Sequence, residues 1–313
     1  MPVEAWPRFH RAARAGALEG DVLSTKRTIL FRFHDFFDVC DARLGRLQAL
    51  NPGIKIHGLY GGTKQGLTSA SSSFLAKFDS LHVLTQDSMW CWMFGGFLGT
   101  DSWYKSIGRE LDFDVVHLIE WDLLMEDSLV NLYQHIEPEC IGVTAPTPID
   151  ALSNAKGGWR EWWLADEEKR AELHLLLESI RVNHGLTPVV HACFLPGAAF
   201  PKAFLESISR WSVPSYCNDE VLLGLYAQVA QIGLRDTGFL RNWRKFSKWS
   251  SHFPKALVSD PFAGPRTNPI HRWFVDFQYF NCNGCDVSLA DIQKQLAHTQ
   301  GRRVFHPVRY RID

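Results

Sequence analysis

Two carboxylates two positions apart, Glu120 and Asp122, flank Trp121 near the end of the apolar run VVHLIEWDLL at residues 115–124. In an extended chain, side chains at i and i+2 emerge on the same side. Their oxygens can therefore meet one divalent cation, directly or through water. Hard cations such as Mg²⁺ or Mn²⁺ take oxygen ligands and keep positions open for phosphate oxygens. A buried carboxylate without a partner is costly or becomes protonated, so a balancing charge is expected close by. The plainer alternative is a pair of surface carboxylates at a strand-to-loop junction.

Three other groupings carry possible chemistry. Asn218-Asp219-Glu220 opens an apolar helix pattern. Acidic residues in a first helical turn are stabilised by the helix dipole, yet a carboxylate held there can also take a proton from an attacking hydroxyl. The late run Val304-Phe305-His306-Pro307-Val308-Arg309 offers an imidazole able to complete a metal site, beside a stiffening proline. His34-Asp35 follows the first strand pattern and fits a loop touching a nucleotide. No Gly-x-Ser-x-Gly elbow, Walker loop or GxGxxG fingerprint is present. Cys282-Asn-Gly-Cys285 lacks the second pair that a zinc site needs. The aromatic-rich stretch 159–163 (WREWW) suits either a loop over a sugar ring or plain packing.

The elements that must hold these groups follow from periodicity. RTILFRF (27–33) predicts a strand, a turn at His34-Asp35 and then a helix ending at Asn51-Pro52-Gly53. Further strands are expected at 54–60, 79–86, 115–121 and 140–146, with a helix over 103–111. Alternation of strand and helix predicts an α/β fold, a mostly parallel sheet flanked by helices. Ligands of such sheets sit beyond the carboxyl ends of the strands, where Glu120 and Asp122 fall. Later, Asp166 caps a helix stopped by Gly185, and 187–195 predicts a strand that leads into a turn at Pro196-Gly197-Ala198-Ala199. Pro201 is placed to open the next helix. Asn218 caps another, and 288–298 predicts a last one, whereas 241–272 reads as irregular ahead of the aromatic run WFVDFQYF.

Composition limits the function classes. Of 313 residues 46% are hydrophobic, which is enough to bury a sizeable core and argues against disorder. The net charge of -1 argues against a broad phosphate-binding face, and no nucleic-acid partner is expected. Local basic clusters at 241–248 and 301–311 could each hold one phosphate-rich small molecule. No stretch is long and apolar enough for a signal or a transmembrane segment, so a cytoplasmic protein is expected. Seven scattered cysteines do not make a disulfide framework.

Taken in order, ILFRFHDFF, a second strand ending Tyr60-Gly61-Gly62, LIEWD, the Pro-Gly-Ala-Ala stretch before PKAFLESI, NDEVLLGLY and FHPVR form a succession. It resembles the GT-A fold glycosyltransferases, nearest to family 2-like enzymes, over residues 27–313. The resemblance implies a short extension at 1–26 and one catalytic domain at 27–313, with a nucleotide-binding half at 27–150. An acceptor-binding half and a C-terminal tail would occupy 151–313. It implies a nucleotide-diphosphate sugar donor, a glycan or other hydroxyl acceptor, and a divalent cation, Mn²⁺ or Mg²⁺. Glu120-Trp121-Asp122 would stand at the donor's diphosphate, with Asp122 as direct ligand, Glu120 as a second or water-mediated one, and His306 approaching the metal or diphosphate. Glu220, or next to it Asp219, would be the base of an inverting hexosyl transfer. Gly197 and Ala198 would let donor and acceptor approach the backbone; His34, Tyr60 and Gly61 would hold base and ribose; Arg309 would extend the diphosphate clamp. A sugar nucleotidyltransferase is a rival, though Arg32-Phe33-His34-Asp35 lacks its Gly-rich basic loop. So is a catalytically silent sugar-binding or scaffold protein of the same fold.

Overall fold

The computed structural model describes residues 25–84, 96–148, 167–214, 219–239, 286–299 and 301–312. Strands β1 (Arg27–Phe33), β2 (Lys55–Tyr60) and β3 (Ser80–Val83) are parallel, with helix α1 (Phe37–Leu50) crossing between the first two. Helix α2 (Gly96–Ser106) leads to β4 (Val115–Glu120), which is parallel to β1 on its other side. Then come β5 (Leu124–Met125), β6 (Ile141–Pro148), α3 (Glu167–His184), β7 (His191–Pro201), α4 (Lys202–Ile208), α5 (Asp219–Val229), β8 (Leu234–Asp236), α6 (Leu289–Leu296) and β9 (Val304–Phe305). The main sheet runs β3-β2-β1-β4-β7-β6-β8, and β7 is antiparallel to both its neighbours. A separate two-residue ladder pairs β5 with β9.

β1 and β4 are covered on both faces, which is why they read as nearly unbroken apolar runs. Ile29, Phe31 and Phe33 of β1 pack with Val39, Cys40, Leu44 and Leu47 of α1. Leu30 faces the opposite layer, where Val116 and Leu118 of β4 meet Phe204 of α4 and Leu222 of α5. From β1 the chain moves outward to β2 and β3, then returns to the other side of β1 as β4. That reversal leaves a crevice beyond the carboxyl ends of β1 and β4, the place where open α/β sheets bind ligands.

Several local expectations are corrected. Pro196 to Ala199 is not a turn: β7 continues through it to Pro201, which therefore ends a strand and precedes α4 instead of opening it. The stretch is a bulge, because β7 carries more residues than β6 between the pairs Thr144↔Phe194 and Gly142↔Ala199. A bulge tolerates Pro196, whose missing N–H would break a regular ladder. The helix expected at 103–111 is α2, which starts earlier and passes into a 3-10 turn at Gly108–Glu110. Trp121 lies just past β4. The caps Asp166 and Asn218, the segments 159–163 and 241–272, the run WFVDFQYF and the Cys282/Cys285 pair lie outside the described residues. Among the described residues no helix is long and apolar enough to cross a membrane.

Gly197 has φ +75°, and a Cβ there would lie 2.9 Å from Phe239, 3.2 Å from Leu123 and 3.3 Å from the Tyr133 hydroxyl. Gly53 has φ +83° with open space around it. Urea unfolding should therefore show Gly197→Ala losing about 2–4 kcal/mol, from strain plus overpacking, and Gly53→Ala only about 1–2 from strain. Equal losses at the two sites would show that packing around the bulge is loose.

Candidate functional site

The register of β1 against β4 sets Arg32 opposite Glu120, and Arg32 Nη1 donates to Glu120 Oε1 at 2.9 Å. Both side chains are largely buried at the mouth of the crevice. The chain then turns sharply: Trp121 N donates to Arg32 O at 3.0 Å and Leu123 N to Glu120 O at 2.9 Å. This turn brings Asp122 back beside Glu120.

The C-terminal tail meets it there. β9 pairs with β5, setting Phe305 against Leu124, and Val308 N donates to Asp122 O at 2.8 Å. These contacts aim His306 and Arg309 at the Asp122 carboxylate, with Nε2–Oδ1 at 3.4 Å and Nε–Oδ2 at 3.6 Å. Glu120, Asp122 and His306 each offer a ligand atom, and the three lie within 4.8 Å of one another. Two carboxylate oxygens and an imidazole nitrogen at that spacing fit a cation such as Mn²⁺ or Mg²⁺ with positions left over for phosphate oxygens.

The electrostatics divide the two carboxylates. Burial, reinforced by Asp122, raises Glu120 above the usual range despite Arg32. Burial would raise Asp122 too, but His306 and Arg309 more than offset it and hold that carboxyl low. Burial lowers His306, yet Asp122 and Glu120 outweigh it and raise the imidazole. The two carboxylates thus favour the charged form of His306, and a cation bound there would compete with that proton.

A third carboxylate stands at the first residue of α5. Asp219 is 3% exposed, and its Oδ2 accepts from Phe97 N in the first turn of α2 at 3.0 Å. Its Oδ1 is buried with no hydrogen-bond partner among the described residues. Burial pushes it up to about 7, against the pull of the Phe97 and Gly96 amides and of Arg32, with Glu120 adding to the rise. Glu220 is half-buried beside Cys193, whose Sγ donates to the Glu220 carbonyl at 3.2 Å. Of this acidic pair, Asp219 is the one enclosed by the site's charges.

The other expected residues fall into two groups. His34 stands edge-on to Trp121, with ring centroids 5.4 Å apart, at the crevice mouth. Phe36, which sequence reasoning did not single out, lies flat on the same indole at 4.7 Å and is 47% exposed, held at φ 54°. Tyr60, in contrast, is fully buried with its hydroxyl donating to Thr63 O, and Gly61 N donates to Phe33 O. Gly197 and Ala198 are buried in β7, where Gly197 O accepts from the Tyr133 hydroxyl at 2.6 Å and Ala198 faces Leu118 of β4. Arg32 and Arg43 were also missed. Their signal was a cation inside an apolar strand and another on the apolar stripe of a helix.

No protein-family model matches the sequence, and no curated protein does. Among solved structures, a galactosyltransferase LgtC crystallised with donor and acceptor sugar analogues is similar over 78% of this chain and 81% of its own, at 15% identity and a TM-score of 0.39. An active-site mutant of LgtC is similar over the same shares, at 15% identity and a TM-score of 0.34. The likeness lies in chain path and assigns no residue a role.

Removing one partner of a buried ion pair strands the other charge. Arg32→Met in chelator should therefore lose about 3 kcal/mol in urea unfolding, and adding Glu120→Gln should recover at least half of that loss. Simple additivity of the two substitutions would mean that the charges do not depend on each other.

Proposed function

We propose that this chain is a metal-dependent glycosyltransferase that moves a hexosyl group from a nucleoside-diphosphate sugar to an acceptor hydroxyl. The observation that carries the reading is the convergence of Glu120, Asp122 and His306 within 4.8 Å at the strand-end crevice. A site of this kind suits a cation that also binds phosphate oxygens. Catalytically silent binders and nucleotidyltransferases share parts of it. The buried carboxyl of Asp219 favours an enzyme, because a group raised to about 7 is matched to proton exchange near neutrality.

In this reading Glu120, Asp122 and His306 hold the cation, which when bound offsets charge on the departing diphosphate. Arg309 stands beside Asp122 and adds a second positive charge on the same side. His34 and Phe36 after β1 and Trp121 after β4 offer ring faces for the donor's base and ribose. Asp219 accepts the acceptor hydroxyl's proton as that oxygen attacks the anomeric carbon, and attack from the face opposite the leaving group gives inversion. Glu220, one residue along the same helix, is the neighbouring candidate.

The test is a panel of UDP-, GDP- and dTDP-sugars incubated with Mn²⁺, Mg²⁺ or EDTA, read as released nucleoside diphosphate. One nucleotide class should turn over with metal and none with EDTA. Asp122→Asn should lose at least a hundredfold, and Asp219→Asn about 10²–10⁴-fold in kcat/KM with the donor's Kd little changed. Release that is indifferent to EDTA would reject the metal, and donor binding without turnover would indicate a silent binder. Product anomer analysis decides inversion.

The same carboxyl makes a pH prediction. Its folded-state value of about 7 lies above that of an unfolded Asp, so the ionised form burdens the native state. The burden is absent below about pH 4, grows as pH rises to 7 and is constant above, amounting to at most about 4 kcal/mol. Asp219→Asn measured in chelator should therefore gain stability over the wild type progressively from pH 4 to pH 8. A constant difference across that range would place the carboxyl in water.

A further inference from the structure

Arg43 lies on the buried side of α1 and is 2% exposed. A guanidinium sequestered in this way is costly unless its charge is answered. Among the described residues its hydrogen bonds go to backbone carbonyls: Nη2 donates to Val308 O at 3.0 Å and to Tyr310 O at 3.4 Å. Those two carbonyls bracket Arg309. The carboxylates of Asp122 and Glu126 lie near enough to counter the lowering that burial imposes on the group. Arg43 thus sits beneath the site, bonded to the tail that supplies His306 and Arg309 and attracted to the carboxylate they face.

The tail is held from several sides. β9 is two residues long, and further ties among the described residues include Glu126 N to Arg303 O, Val308 N to Asp122 O, Val287 N to Pro307 O, the Tyr310 hydroxyl to Val287 O, Arg309 N to Asp286 Oδ1 and a small apolar cluster with Leu124, Ile292 and Phe305. Arg43 reaches the same backbone from α1. We propose that Arg43 is a positioning residue, which fixes the Val308–Tyr310 backbone so that the imidazole of His306 and the guanidinium of Arg309 stay on Asp122. It touches neither donor nor acceptor. The consequence for cation binding rests on the metal-dependent reading above, whereas the anchoring itself does not.

The experiment has two readouts on the full chain, with Arg43→Gln and the conservative Arg43→Lys. Hydrogen exchange in EDTA follows the peptide 304–310 against peptides from β1 and β4. Calorimetric titration with Mn²⁺ alone reports cation affinity. Arg43→Gln should speed exchange of the tail at least tenfold and leave β1 and β4 within twofold of wild type. It should also weaken Mn²⁺ about 10–100-fold, the usual effect of losing a group that orients a ligand. Arg43→Lys, whose ammonium can still reach a carbonyl, should restore much of both. Tail exchange within twofold of wild type in Arg43→Gln overturns the proposal, as does acceleration spread equally over β1 and β4, the mark of a merely structural residue. Should Arg43→Gln fail to fold, Arg43→Met decides by the same criterion: a tail loosened at least tenfold while β1 and β4 stay within twofold supports the anchor, and a tail within twofold of wild type overturns it. If the wild type binds no Mn²⁺, the metal reading fails while tail exchange still decides the role of Arg43.

Discussion

Negative charge withdrawn from water at the end of a sheet is the constraint on which the rest of this structure depends. Glu120, Asp122 and Asp219 all fall at the crevice beside β1 and β4, in surroundings where an unanswered carboxylate would protonate or unfold the site. The answers come from remote parts of the chain: Arg32 from β1, Arg43 from α1, His306 and Arg309 from the last ten residues. A single cluster of charges therefore couples the first strand, the first helix and the tail. Surface ion pairs contribute little to stability, but these groups are mostly shielded, and removing one leaves its partner exposed to the full desolvation cost.

That coupling explains why so short a tail holds its place. A two-residue ladder has almost no stability of its own. α6 supplies an apolar contact through Ile292, and Phe305 and Val308 complete a small cluster separate from the two large ones on the faces of the sheet. Backbone bonds to Asp122 and Asp286 then fix the tail's height on the site. Apolar packing keeps the tail against the protein, and the charges decide which side chains face inward.

Much of this was legible in the sequence. The apolar runs of β1, β2 and β4, the helix beginning at Ser288 and the strand-end position of Glu120 and Asp122 follow from periodicity, and His306 gained its meaning from its combination with them. Other features depend on partners that no local pattern reveals. Arg32 sits within RTILFRF and gains its meaning only from a register that sets it against Glu120. The start of α2 is fixed by amides that bind the Asp219 carboxylate from 122 residues away. Pro196 and Gly197 carry the usual signals of a turn, and only the pairing with β6 turns them into a bulge. Tyr60 ends its strand where a ligand contact is expected, yet its ring packs against Phe33 in the core.

Asp122 and Asp219 shift in opposite directions for different physical reasons. Asp122 is held low because two cationic groups from the tail face it, so it keeps its charge and can hold a cation. Asp219 is held high because burial is opposed mainly by backbone amides and one shared arginine. Environments that push two titratable groups apart are what separate a charge-holding role from a proton-exchanging one. The two are also linked, since Glu120 contributes to the rise at Asp219. A positive charge beside Glu120 would oppose that contribution and favour the ionised form of Asp219.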